Sequence, residues 1–180
     1  MLYSSQFIGR TWFRMGDPVA ALLDKQAIRD VLARYCRAID RIDAHLARTV
    51  WHPDGTADYV GVFTGSGDEF VDFCLTAHMT FAAHSHQITN VLIELNGETA
   101  ASEAYVTARL RHTGEQHTAT DQVVCGRYLD KWSRRDGRWA IDHRIFVTDI
   151  SSNYDVVESV ETGYRRDSKD PSYALFAVRA

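Results

Sequence analysis

Residues 83–95 read AHSHQITNVLIEL, and the chain changes character at this stretch. A run rich in β-branched residues that alternates with polar ones is a strand, and in a strand every second side chain shares a face. His84, His86, Ile88 and Asn90 are therefore expected on one side, so two imidazoles and an amide share a face with an apolar residue. Downstream, SEAYVTARLRH (102–112), DQVVCGRYLDKW (121–132) and RWAIDHRIFVTDI (138–150) repeat the strand pattern, separated by NGET, TGEQHTAT and SRRDG. Those separators carry the glycine and polar residues of turns, so an antiparallel meander is expected from Ala83 onward.

Upstream the period is helical. Asp17 before Pro18 supplies a capping carboxylate and a residue suited to the first helical turn. Apolar residues then fall at Ile28, Val31, Leu32, Tyr35, Cys36 and Ile39, one buried stripe. A short second helix starts at Asp43 and stops before Pro53, and PDG (53–55) reads as a turn. A strand around TADYV (56–60) and a glycine-rich loop, GVFTGSGD (61–68), lead to a third helix whose stripe is Phe70, Phe73, Cys74, Ala77 and Phe81. Helices first and consecutive strands afterwards predict an α+β fold in which a curved, mostly antiparallel sheet wraps N-terminal helices and encloses a pocket.

With 180 residues, 45% of them apolar, one domain is expected, over 17–157, between an N-terminal arm (1–16) and a C-terminal tail (158–180). The tail is mostly polar until YALFAV (173–178), which needs another surface to cover it. A net charge of −4 with scattered Lys and Arg gives no nucleic-acid face. No apolar run approaches the ~20 residues that span a bilayer, and no signal peptide is legible. Cys36, Cys74 and Cys125 have neither disulfide-framework nor zinc spacing, which fits a reducing cytoplasm.

Asp40 follows the buried stripe of the first helix, and a carboxylate there needs a partner. The sheet offers His84, His86 and Arg144; the competing role is a helix cap for RIDAHL (41–46). The two histidines can equally be hydrogen-bonded structural residues, or begin a metal site with Asp40 and a distant group such as His143. No metal ligand set stands at diagnostic spacing. GVFTGSGDE matches no phosphate-binding or dinucleotide loop, no serine sits in a nucleophile-elbow context, and Cys36 reads as core. Alternation puts Arg144 and His143 on opposite faces of their strand, so one of the two enters the interior.

YCRAID (35–40), SHQITN (85–90) and RRDGRWAIDHR (134–144) together resemble the SnoaL-like branch of the nuclear transport factor two-like superfamily, over roughly residues 17–155. The similarity is to scytalone dehydratase, bile acid 7-alpha-dehydratase and hexachlorocyclohexane dehydrochlorinase. It implies a cone-shaped fold and a cofactor-independent lyase, most often a dehydratase, in which His86 abstracts a proton and Asp40 orients it. Tyr35 matches the tyrosine of the bile acid enzyme and would protonate a leaving oxygen, whereas the dehydrochlorinase carries lysine there. Arg144 matches an arginine that holds developing negative charge. The bile acid enzyme's further aspartate on the next strand has only Glu103 to correspond to it. Trp51, Tyr59, Phe81 and Tyr128, with His84 and Asn90, would line the site of a hydrophobic cyclic or aromatic substrate. The resemblance also implies a homotrimer and no cofactor. The same base could run an isomerisation or a carbon–carbon cleavage, and a non-catalytic small subunit of a ring-hydroxylating dioxygenase shares the fold.

Overall fold

The computed structural model describes residues 17–114, 118–156 and 163–176. The expected arm, 1–16, lies outside them. Helix α1 spans Pro18–Asp40, and the Asp17 carboxylate accepts the Val19 N–H at 2.9 Å. Its buried stripe, Ile28, Val31, Leu32, Tyr35, Cys36 and Ile39, is the expected one, joined by Ala38. Helix α2 (Ala44–Thr49) is capped by Asp43, whose carboxylate takes the Leu46 N–H at 2.9 Å. With that cap supplied by Asp43, Asp40 is left for other work.

The six strands are β1 (Trp51–Tyr59), β2 (Phe63–Ser66), β3 (Ala83–Asn96), β4 (Thr99–Thr113), β5 (Ala119–Arg135) and β6 (Arg138–Val156). They form one sheet in the order β2-β1-β6-β5-β4-β3. The meander β3 to β6 is antiparallel as expected, but β1 joins it parallel to β6, with Thr56 opposite His143 and Tyr59 opposite Phe146. Helix α3 (Gly67–Met79) opens with a reciprocal cap: Ser66 and Glu69 each bond the other's backbone N–H. α1 packs on β3 and β6, and α3 on β1 and β2, inside the curved sheet. The result is an α+β cone with a core between helices and sheet.

Three local expectations are corrected. Pro53, Asp54 and Gly55 do not form a turn; they lie within β1, where the register against β6 slips between Trp51 and Thr56. A proline is tolerated there because the irregularity removes the ladder bond it cannot donate. The glycine-rich loop contains strand β2, which pairs back on β1 from Tyr59↔Phe63 to Thr56↔Ser66. The third helix ends at Met79, so Phe81 sits in the turn before β3.

Of the tail, residues 163–176 are described, and 158–162 and 177–180 lie outside, as does residue 157 at the end of the expected domain. The described part includes a one-turn helix, α4 (Pro171–Phe176), and docks on the C-terminal end of α1. Tyr173 Oη donates to Asp43 at 2.9 Å and its ring lies under Arg37 at 4.8 Å. Arg166 donates to the carbonyls of His78 at 3.0 Å and Phe81 at 2.9 Å, tying down the turn between α3 and β3.

Candidate active site

α1 delivers Asp40 to the start of β3. The His86 Nδ1 stands 2.7 Å from Asp40 Oδ1, and the His86 backbone N–H donates to Oδ2 at 3.1 Å. One carboxylate thus holds both the ring and the strand that carries it. Both side chains are nearly buried, His86 at 6% and Asp40 at 14%. Since a carboxylate only accepts, Nδ1 carries the hydrogen of this contact, and in the neutral ring Nε2 holds the lone pair. That Nε2 has no hydrogen-bond partner among the described residues.

His86 borders an apolar cavity of about 230 Å³. Its walls include Tyr35 from α1, Tyr59 from β1, Phe70, Cys74 and His78 from α3, Phe81 from the following turn, Tyr128 from β5 and Phe146 from β6. The Tyr59 and Phe70 rings stack at 4.1 Å. Phe146 reaches in over Gly126, where a Cβ would stand 2.7 Å from its ring. Only glycine leaves that space.

Two phenols supply the polar end. Tyr35 Oη and Tyr59 Oη are 2.7 Å apart, so one donates to the other and one hydrogen remains free. Burial pushes both hydroxyls above the ordinary phenol range, which keeps them neutral donors. Behind them lies Arg144, fully buried and paired fork-to-fork with Asp130 at 2.7 and 2.8 Å. Its guanidinium lies 4.4 Å from the Tyr35 ring centre and 4.0 Å from that of Tyr128. Arg144 is therefore the residue of its pair that enters the interior, while His143 bonds Thr56 Oγ1 at 2.8 Å. Arg144 sits outside the cavity wall and reaches it through the tyrosines.

Tyr35, Tyr59, Phe81, Tyr128 and His86 are thus brought together around one space, with Asp40 behind His86. Three expected lining residues are elsewhere. His84 turns to the helix: its Nε2 donates to the Ile39 carbonyl at 3.0 Å, and its other face meets Tyr164 of the tail. Trp51 packs behind Phe70, with ring centres 6.0 Å apart, over the bare Cα of Gly67. Asn90 is exposed at φ 50, where the β3–β4 register slips between Thr89 and Leu92. That bulge reverses the alternation, so Val91, Ile93 and Leu95 face inward instead of Asn90 and Leu92. Glu103 bonds Arg127 at 3.3 Å, away from the cavity wall.

His78 was absent from the sequence-based candidates. Its Nδ1 stands 2.8 Å from the Cys74 carbonyl, four residues back, and its ring centre is 5.3 Å from that of His86. Burial and the neighbouring histidines push it down to about 4, so it is neutral near pH 7. The signal was present: His78 lies four residues after Cys74 and eight after Phe70 on the stripe already assigned to the interior.

Burial pushes the Cys36 and Cys74 thiols up to about 12, so neither is a thiolate nucleophile. Among the described residues no group of three or more His, Cys, Asp or Glu could hold a metal ion. No helix among them is long and apolar enough to cross a membrane.

The SnoaL-like domain family matches residues 20–145. A comparison with curated proteins finds no match. Among solved structures, a provisionally named scytalone dehydratase from Novosphingobium aromaticivorans superposes with a TM-score of 0.68 at 21% identity, covering 82% of this chain and 98% of that one. The hexachlorocyclohexane dehydrochlorinase LinA-type3 from Novosphingobium barchaimii gives 0.70 at 16% identity, covering 81% and 100%. The Kfla4162 protein from Kribbella flavida gives 0.66 at 20% identity, covering 73% and 95%. These likenesses are of fold, and the family match extends over most of the chain. The chain belongs to the SnoaL-like domain family.

Proposed function

We propose that the protein is a cofactor-independent lyase, a dehydratase, acting on a hydrophobic cyclic or aromatic small molecule. The observation that carries this is the His86–Asp40 contact of 2.7 Å at the edge of an otherwise apolar cavity. His86 Nε2 takes a proton from a carbon beside an activating group, and Asp40 holds the imidazolium that forms. In an apolar enclosure that cation is costly without its carboxylate. The free hydrogen of the Tyr35–Tyr59 pair donates to the leaving oxygen, which departs as water with that proton. Arg144, already neutralised by Asp130, positions the phenols by lying against the rings of Tyr35 and Tyr128.

The test is a screen of cyclic alcohols and hydroxyketones with mass-spectrometric readout, run beside His86→Gln and Asp40→Asn. Loss of one water, abolished in both variants, supports the reading. A product of unchanged mass means isomerisation by the same base. No turnover, together with co-purification of a large iron–sulfur subunit, means a partner subunit instead.

We also propose a homotrimer in the cytoplasm. The exposed Leu175 and Phe176 of α4 and three free cysteines support these readings. A light-scattering mass of one chain refutes the trimer.

A further inference from the structure

β3 is an edge strand, so the N–H and C=O groups along its free side face no neighbouring strand. At His84 one phenol takes the place of that neighbour. The His84 N–H donates to Tyr164 Oη at 3.3 Å, and Oη donates to the His84 carbonyl at 3.2 Å. Two residues on, the edge N–H is that of His86, and it goes to Asp40 Oδ2 at 3.1 Å. Helix ends leave their last carbonyls without partners inside the helix. In α1 the Ile39 carbonyl accepts from His84 Nε2, and the Asp40 carbonyl lies 3.5 Å from the same Tyr164 Oη and accepts from Arg41 Nη1 at 3.2 Å. Tyr164 thus joins the end of the helix that carries Asp40 to the edge of the strand that carries His86. Its own place is fixed by Arg41, which donates to the Arg165 carbonyl at 3.0 Å, and by Arg166, which grips the carbonyls of His78 and Phe81. Behind Asp40 lies an open cleft of about 550 Å³, with Arg41, His84 and Tyr164 in its wall. Water in that cleft competes with His86 for the carboxylate.

We propose that Tyr164 is a positioning residue for the dyad: fastened by Arg166, it clasps the end of α1 to the edge of β3, so that Asp40 stays on His86 and solvent stays behind it. The effect on turnover rests on the lyase reading, and the effect on the Asp40–His86 contact does not. Tyr164 is not part of the wall of the apolar cavity. Losing the clasp therefore leaves substrate binding in place and slows the proton transfer, as a base displaced from its working geometry does.

The test is proton NMR of the whole, nitrogen-15-labelled protein, following the His86 Nδ1–H signal, which is identified by its absence in His86→Gln. Tyr164→Phe keeps the ring and removes only the hydroxyl, and Arg166→Ala releases the clasp from its other side. The expected result is exchange of the Nδ1–H with water about tenfold faster in both variants, while the backbone amides of β4 and β5 keep their wild-type rates. With a compound that is turned over, kcat falls about 10- to 100-fold in Tyr164→Phe and KM holds. The proposal is overturned by a wild type with no protected Nδ1–H, by exchange unchanged in both variants, by a rise that the β4 and β5 amides share, or by faster exchange with kcat unchanged. Faster exchange in a protein that turns over no compound refutes the lyase reading and leaves the clasp standing.

Discussion

Acid should weaken this protein through His78, and the size of the effect follows from its surroundings. Burial, followed by the charges of His86 and His84, holds its imidazole at about 4 against 6.5 in the unfolded chain, while the Cys74 carbonyl and Asp40 act the other way. Between pH 6.5 and 4 the unfolded chain binds a proton that the folded one refuses. Stability from this group is therefore complete above about pH 6.5, falls as pH drops, and levels off below about 4. A difference of about 2.5 in pKa corresponds to about 3 kcal/mol. Urea unfolding at pH 7 and pH 4 of the wild type and His78→Leu reads it directly. Leucine removes the titrating group, so the wild type should lose about 3 kcal/mol more than the variant, a midpoint difference on the order of 1 M urea or more. His84, also held low by burial, adds to the acid sensitivity of both proteins. Equal losses in wild type and variant would refute the reasoning, because His78 would then accept its proton without cost in the folded state.

Other outcomes are as definite. In any assay with a turned-over compound, His86→Gln should lower kcat by about 10²- to 10⁴-fold while the unfolding midpoint moves little. Asp130→Asn leaves the Arg144 guanidinium without its counter-charge in a fully buried place, and should cost about 3–5 kcal/mol in urea unfolding. Asn90→Gly should be nearly neutral, since φ 50 suits glycine, whereas Asn90→Val should cost about 1–2 kcal/mol in the same measurement. Gly126→Ala sets a methyl against the Val147 carbonyl and the Phe146 ring and should destabilise the fold, read by thermal unfolding.

Much of this arrangement is written in local patterns. The stripe from Ile28 to Ile39 dictates which side of α1 is buried, so Asp40, next in line, had to meet the strand that follows α3. Period two put His86 on the inner face of β3, and Asp43 stood where a cap for α2 was required. What escaped the sequence depends on partners distant along the chain. β2 exists because β1 offers it an edge, and Pro53 sits in a strand because β6 pairs around the irregularity. Asn90 left the inner face through a bulge that period two cannot announce. His84 and His86 looked equivalent by spacing, yet the Ile39 carbonyl claims one and the Asp40 carboxylate the other.

The parallel seam between β1 and β6 has a consequence for how the molecule comes into being. It joins Thr56 to His143, 87 residues apart, whereas the β3–β4 and β4–β5 hairpins close locally. Local pairings form at small entropic cost, and long-range ones wait for them. We therefore expect the hairpins to appear first in refolding and the β1–β6 seam to limit the rate. Tyr59 sits on that seam, opposite Phe146. The last event of folding is then the one that closes the cavity, and a pulse-labelling hydrogen-exchange experiment should find the amides of residues 56–59 protected after those of 102–112.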